Sequence, residues 1–329
     1  MKRLAILGAG SWGTALAIAL APRFEEIRLW ARDPEQAREI EAVRENRRYL
    51  PGFVLSRQVR VSNAFDTCVE FSDLILGVVP SAFCRQVFTE AVSAIGKGTP
   101  IISATKGLER GSLETMSRVI GECVPESPVG VLSGPTFARE IASGEPAAIV
   151  VAAADRGLAE RVQAACSTPV FRLYTNTDVV GVEIGAALKN VIAIAAGVVQ
   201  GLGLGSNTRA ALVTRGLAEI SRLAIALGGE PKTLAGLAGL GDLVLTCTGD
   251  LSRNRRVGIE LAGGRPLPEI LKGMGMVAEG VETTASALEL AERAGVEMPI
   301  TQAVDAVLKG EKRPHEAIRE LMERSLKGE

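Results

Sequence analysis

Histidine is nearly missing from this chain: His315, in KRPHEAIREL near the end, is the only one among 329 residues. Acid–base chemistry, where the sequence calls for it, has to rest on another side chain. Cysteine is sparse and scattered. Cys68, Cys84, Cys123, Cys166 and Cys247 are odd in number and free of CxxC spacing, which suggests neither a disulfide framework nor a zinc site and fits a reducing cytoplasm. Neither sign of charge is in excess. With 37 basic and 38 acidic residues the net charge is −1, so there is no electrostatic footprint for nucleic acid or an anionic membrane, and an anionic ligand must be held locally. The start, MKRLAILGAG, enters an apolar strand without the apolar core and cleavage site of a secretion signal. The one stretch worth weighing as a membrane span, 190–208, is interrupted by Gly197, Gly201, Gly203 and Gly205. It reads as too short an apolar run, so no integral membrane segment is expected.

The length predicts two cores. From residue 3 to about 175, short apolar strands alternate with helical patterns, the signature of an α/β fold with a parallel sheet and crossover helices. The strands fall at Leu4–Leu7, Ile27–Trp30, Leu74–Val79, Pro100–Ala104, Val129–Leu132, Ala147–Val151 and Val170–Leu173, with a weaker one at Val59–Val61. The helical patterns are Trp12–Ala21, Pro34–Glu45, Ala82–Ala94, Ser112–Gly121 and Arg156–Ala165. Beyond Thr177 the periodicity is almost wholly helical, at 179–200, 208–227, 253–262, 281–294, 299–309 and 314–326. Residues 1–178 and 179–329 are therefore expected to form an α/β domain and an all-α domain, with Asn176, Thr177 and Asp178 available to cap the first long helix.

LAILGAGSWGTALA places Gly8, Gly10 and Gly13 in G-x-G-x-x-G spacing, after a strand and opening a helix, as a dinucleotide-binding turn requires. The first two glycines permit the tight turn and close approach to a pyrophosphate, the third lets helix and strand pack, and Ser11 and Trp12 lie in the turn. About 20 residues on, where an NAD site commonly ends its second strand in an acid, the sequence reads IRLWARD. Arg32 suggests a guanidinium for a 2′-phosphate and favours NADP(H). Asp33 either accepts from a ribose hydroxyl, which keeps NAD(H) open, or caps the helix beginning at Pro34.

Ligands in such sheets sit beyond the carboxyl ends of the strands, which singles out Lys106 in ATKGLE and Ser133, Gly134 and Thr136 in LSGPTFARE. Lys106 alone also reads as an ordinary loop lysine. In the helical half, Asp242 lies in a glycine turn between apolar stretches, and Ser252, Arg253 and Asn254 stand at a helix start. Those three read either as a phosphate cradle or as an N-cap followed by surface arginines. Lys189, within EIGAALKNVIAIAAG, is the only charged side chain between Glu183 and Arg209. It either snorkels to water or, with no suitable histidine, serves as the proton donor and acceptor of a hydride transfer, its pKa lowered by an apolar pocket or nearby positive charge.

Taken together, GAGSWGTALA, ATKGLE, LSGPTFARE, ALKNVIAIAAG, GLGDLVLTCT, SRNRRVG and VAEGVETT resemble the bacterial-type NAD(P)-dependent glycerol-3-phosphate dehydrogenases over essentially the whole chain. The resemblance implies an N-terminal Rossmann-like domain with a mostly parallel sheet, followed by an all-α substrate domain. It implies reduction of dihydroxyacetone phosphate to sn-glycerol 3-phosphate, which feeds phospholipid synthesis in the cytoplasm, by a possible homodimer. Carried over by position, Ser11, Trp12, Arg32, Ala138, Val277 and Glu279 would contact the dinucleotide, and Lys106 would lie near both ligands. Gly134 and Thr136 would belong to the substrate site, Lys189 would be the proton donor or acceptor, and Asp242 its polar partner. Ser252, Arg253 and Asn254 would hold the substrate phosphate, with Arg253 also near the cofactor. A β-hydroxyacid substrate is the competing enzyme reading, but the relatives that use it often show an asparagine four residues after the lysine, where this chain has Ala193. A silent nucleotide sensor would not need Lys189, Asp242 and Arg253 together.

Overall fold

The structure, a computed structural model, describes residues 1–70, 72–274 and 278–325. It forms two compact units: Met1–Lys106 with Glu114–Val182, and Gly107–Leu113 with Glu183–Glu329.

In the first unit eight strands form one sheet: β1 (Arg3–Leu7), β2 (Glu26–Trp30), β3 (Val59–Ser62), β4 (Leu74–Gly77), β5 (Ile101–Ser103), β6 (Val129–Ser133), β7 (Ala147–Ala152) and β8 (Phe171–Asn176). Each apolar run expected to be a strand is one. Their order is β3-β2-β1-β4-β5-β6-β7-β8, and every pair is parallel except β6 with β7. On β1, Leu4 and Ile6 enter one apolar core while Ala5 and Leu7 enter the other, which is why a strand covered on both faces reads as an unbroken apolar run. Chain order reverses at β1, whose neighbours are β2 and β4, and a crevice forms beyond the carboxyl ends of strands at such a point.

The helices of this unit are α1 (Ser11–Leu20), α2 (Pro34–Val43), α3 (Phe65–Val69), α4 (Cys84–Ala91), α5 (Met116–Cys123), α6 (Ala138–Ala142) and α7 (Arg156–Cys166). The expected helix at Ser112–Gly121 begins only at Met116, since Leu113 has φ 64°, a conformation no right-handed helix continues.

The second unit is helical. After α8 (Val179–Gly201), whose N–H at Gly181 is capped by Asp178 Oδ1 at 2.7 Å, come α9 (Ser206–Ala226), α10 (Pro231–Leu234), a π-helical turn at Leu237–Gly241 and α11 (Asp242–Thr248). Then follow α12 (Arg253–Ala262), α13 (Leu267–Gly273), α14 (Glu279–Arg293), α15 (Pro299–Leu308) and α16 (Pro314–Met322). Two corrections to the sequence reading arise here. Asp242 is not in a glycine turn but opens α11, because the π-helical turn accommodates the glycines that break the helical periodicity. The apolar stretch is also longer than 190–208 suggests: α8 is long and apolar enough to cross a membrane, and 89% of its apolar window is buried inside the protein, as in a core helix.

α8 and α12 cross through backbone. A Cβ on Gly197 would overlap the Arg255 carbonyl, and one on Gly258 would overlap the Ile194 carbonyl and lie 2.7 Å from Val198 N. Another link joins α9 to α15, whose N-cap residue Met298 supplies no side-chain acceptor. Glu219 takes that place, buried at 1% exposure, accepting from the N–H groups of Ile300 (2.5 Å) and Thr301 (3.2 Å) and from Thr301 Oγ1 (3.1 Å).

Candidate active site

The two units each carry part of the expected site. In the first, Gly8 has φ 127°, and a Cβ there would overlap the Val78 carbonyl, while one on Gly13 would overlap the Gly8 carbonyl. Both are demanded by the fold itself. Gly10 differs: a Cβ would meet nothing within 4 Å, and no side chain caps α1, which begins beside it. The space a side chain would fill lies over a helix N-terminus, where a diphosphate fits. Trp12, half-buried in the first turn of α1, packs against the apolar core.

Residues not anticipated from the sequence hold this loop. Asn46, fully buried, donates from Nδ2 to the Ala9 carbonyl (2.9 Å) and to Thr14 Oγ1 (2.8 Å), and accepts at Oδ1 from the Tyr49 N–H (3.3 Å). Gln36 Nε2 donates to the same Ala9 carbonyl at 3.0 Å, and Ser11 Oγ donates to the Tyr49 carbonyl at 2.7 Å. The segment 46–50 is thus latched to the glycine loop.

At the end of β2, Arg32 is exposed with its guanidinium 5.1 Å from the centre of the Phe83 ring. Asp33 caps α2, Oδ1 accepting from the Glu35 N–H at 3.0 Å, so the capping alternative is realised. Beyond β5 and β6, Lys106 Nζ (3.4 Å) and Thr136 Oγ1 (3.2 Å) both donate to the Gly134 carbonyl, bringing these three expected residues together. Ala138 opens α6, which packs on α1.

In the second unit Lys189 does not reach water. It is 5% exposed, and its Nζ donates to Asp242 Oδ1 and, at 2.9 Å, to Thr246 Oγ1; Asp242 is fully buried. Thr246 Oγ1 in turn donates to the Asp242 carbonyl at 2.6 Å. The resemblance named Asp242 as the polar partner of Lys189, and the structure brings the two side chains into contact although 53 positions separate them. Thr246 was legible only as the residue one helical turn beyond Asp242. Neighbouring Cys247 is buried, which pushes its thiol up to about 12 and leaves it no thiolate character.

Ser252 caps α12, its Oγ accepting from the Arg255 N–H at 3.3 Å. Arg253 is exposed, whereas Asn254 is buried and accepts at Oδ1 from the Gly280 N–H at 2.9 Å. That bond ties the start of α12 to the start of α14, where Glu279 stands. It leaves the Asn254 amide nitrogen as the group able to donate to an anion. Arg255, which the sequence reading did not separate from its neighbours, is buried and donates to the Gly249 carbonyl and Asp250, securing the turn before α12. Val277, expected at the dinucleotide, lies outside the described residues.

Comparison with known proteins covers almost the entire chain. Residues 3–159 match the family model of the NAD-dependent glycerol-3-phosphate dehydrogenase N-terminus and residues 178–319 that of its C-terminus. The chain is 51% identical to glycerol-3-phosphate dehydrogenase (NAD(P)+) of Citrifermentans bemidjiense, covering 100% of this chain and 99% of that one. It is 53% identical to the protein of that name from Koribacter versatilis, with 98% of each covered. Among solved structures, glycerol-3-phosphate dehydrogenase from Coxiella burnetii superposes with a TM-score of 0.94 at 40% identity, covering 98% of this chain and 99% of that one.

Proposed function

The chain belongs to the NAD-dependent glycerol-3-phosphate dehydrogenase family, and from that premise we propose that it reduces dihydroxyacetone phosphate to sn-glycerol 3-phosphate with NAD(P)H. The observation that carries the reading is the buried Lys189 held between Asp242 and Thr246. A buried ammonium with a carboxylate partner, in a chain with one histidine, is suited to deliver a proton in an otherwise apolar place.

Each group then has a task. Residues 1–178 hold the dinucleotide: the open space at Gly10 and the N-terminus of α1 receive the diphosphate, with Ser11, Trp12 and Ala138 around it. Arg32 takes the 2′-phosphate when NADP(H) binds, with Glu279 and Val277 completing the site. A bound nicotinamide supplies the hydride to the ketone carbon. Residues 179–329 hold the substrate: Ser252, Arg253 and the Asn254 amide receive its phosphate through the start of α12. Lys189 donates a proton to the oxygen that gains charge, and its contacts with Asp242 and Thr246 fix where the amine points. The resemblance assigns Lys106, Gly134 and Thr136 to substrate binding as well.

The five free cysteines support a reducing compartment, the cytoplasm, where the product would enter phospholipid synthesis. A homodimer belongs to the same reading, supported by the exposed apolar side chains Leu240, Val244 and Leu251 beside α11, and sedimentation velocity reads it. The activity is tested by following NADPH and NADH absorbance with dihydroxyacetone phosphate beside a panel of β-ketoacids. Turnover with the triose phosphate is expected, and turnover with a β-ketoacid alone overturns the proposal.

A further inference from the structure

We propose that Arg48 is a second guanidinium for the 2′-phosphate of NADP(H) and sets the cofactor preference together with Arg32. This rests on the dinucleotide reading of the glycine loop and extends it to a residue outside the G-x-G-x-x-G turn and the end of β2.

Three observations carry it. The first is the state of Asp33, which occupies the place where a carboxylate would accept from the ribose hydroxyls and repel a phosphate. Its Oδ1 is engaged by the Glu35 N–H, and Oδ2 faces Arg48 Nη1 at 3.9 Å, so the charge that would disfavour a phosphate is met from both sides. The second is the mounting of Arg48. Its guanidinium lies 5.1 Å from the centre of the Tyr49 ring, and the Tyr49 backbone is pinned at the N–H by Asn46 and at the carbonyl by Ser11 of the glycine loop. An otherwise long, mobile cation is thereby stationed beside the loop that receives the diphosphate. The third is Arg32. Among the described residues it forms no ion pair, its recorded partner being the face of the Phe83 ring. Arg48 thus stands 3.9 Å from Asp33, and Arg32 precedes Asp33 in the chain with no carboxylate partner among the described residues. A second guanidinium adds its own charge-assisted bonds to those a single arginine makes with a phosphate, and a ribose hydroxyl offers no such anionic partner. The neighbouring Arg47 is engaged elsewhere, 3.6 Å from Glu45, and is not part of the arrangement.

The test is calorimetric titration of the full chain and its Arg48→Gln variant with NADPH, NADH, 2′,5′-ADP and 5′-AMP. Arg48 is exposed and its replacement should leave the melting temperature unchanged, which the same samples verify. Loss of one such charge-assisted contact is expected to weaken NADPH and 2′,5′-ADP by about tenfold, while NADH and 5′-AMP shift by less than about twofold. Arg48→Lys should recover part of the NADPH affinity, since it restores charge without the fork. Equal losses for all four ligands, or no loss for any, overturn the assignment of Arg48 while leaving the dinucleotide site standing. Failure of the parent chain to bind either NADPH or NADH overturns the dinucleotide reading itself, and the inference with it.

Discussion

Replacing Gly258 by alanine adds one methyl group where α8 and α12 touch through backbone. The added Cβ would overlap the Ile194 carbonyl and lie 2.7 Å from Val198 N and 2.9 Å from Gly197 Cα, whereas ordinary van der Waals contact starts at 3.4 Å. None of these atoms belongs to a side chain that could rotate aside, so the helices must part by about 1 Å. Overpacking of this kind costs about 1–3 kcal/mol, and with rigid backbone on every side the upper end applies. Alanine returns about 1 kcal/mol through its helix propensity, leaving a net loss of about 2 kcal/mol. For a unit of this size that is a fall in melting temperature of about 6 °C, read by scanning calorimetry. Gly121, in α5, supplies the control, because a Cβ there meets nothing within 4 Å. Gly121→Ala should hold or raise stability, so the same substitution gives opposite signs at two helical glycines. A displacement of about 1 Å between the helix bearing Lys189 and the helix bearing Arg253 should also lower kcat by about a hundredfold with NADPH affinity unchanged. A Gly258→Ala protein as stable as its parent would refute the close-crossing argument.

Two further outcomes follow from buried groups. Lys189→Met leaves the fully buried Asp242 without its cation, at a cost of about 3–5 kcal/mol and so a fall of about 10 °C in melting temperature. Lys189→Met combined with Asp242→Asn should be more stable than Lys189→Met alone; both should lack turnover yet bind NADPH, and near-normal turnover in either would remove Lys189 from its role. Glu219→Ala strips three donors at the start of α15 of their acceptor and should cost about 2–3 kcal/mol in a urea titration, with NADPH binding unaffected. A change below about 0.5 kcal/mol would show that water serves those donors equally well.

The central strands were legible because strands buried on both faces must be apolar throughout, whereas edge strand β3 shows only as an alternation, with Arg60 exposed between buried Val59 and Val61. Direction was not: β7 reads like any other apolar run, and nothing in its composition announces that it runs against β6. The glycine loop was legible because its spacing is a backbone requirement, but Asn46 was not, since its role arises from contacts 32 and 37 positions away. Lys189 stood out by its isolation among apolar residues. Its partner, 53 positions later, was identified only through the resemblance, and the helix that carries it was hidden by Gly236, Gly239 and Gly241. Burial also divided SRNRRVG in a way composition could not, placing Arg253 at the surface and Arg255 inside.

The Asn46 latch bears on what the chain does before any ligand arrives. Its amide joins the Ala9 carbonyl, Thr14 and the Tyr49 N–H in one buried knot, so the loop acquires its shape as part of folding. The conformational entropy of ordering that loop is then lost once, in folding, rather than at each encounter with a dinucleotide. A cofactor that must come and go in every catalytic cycle meets a cradle of constant shape, and binding energy that would otherwise go into ordering the loop remains available to hold it.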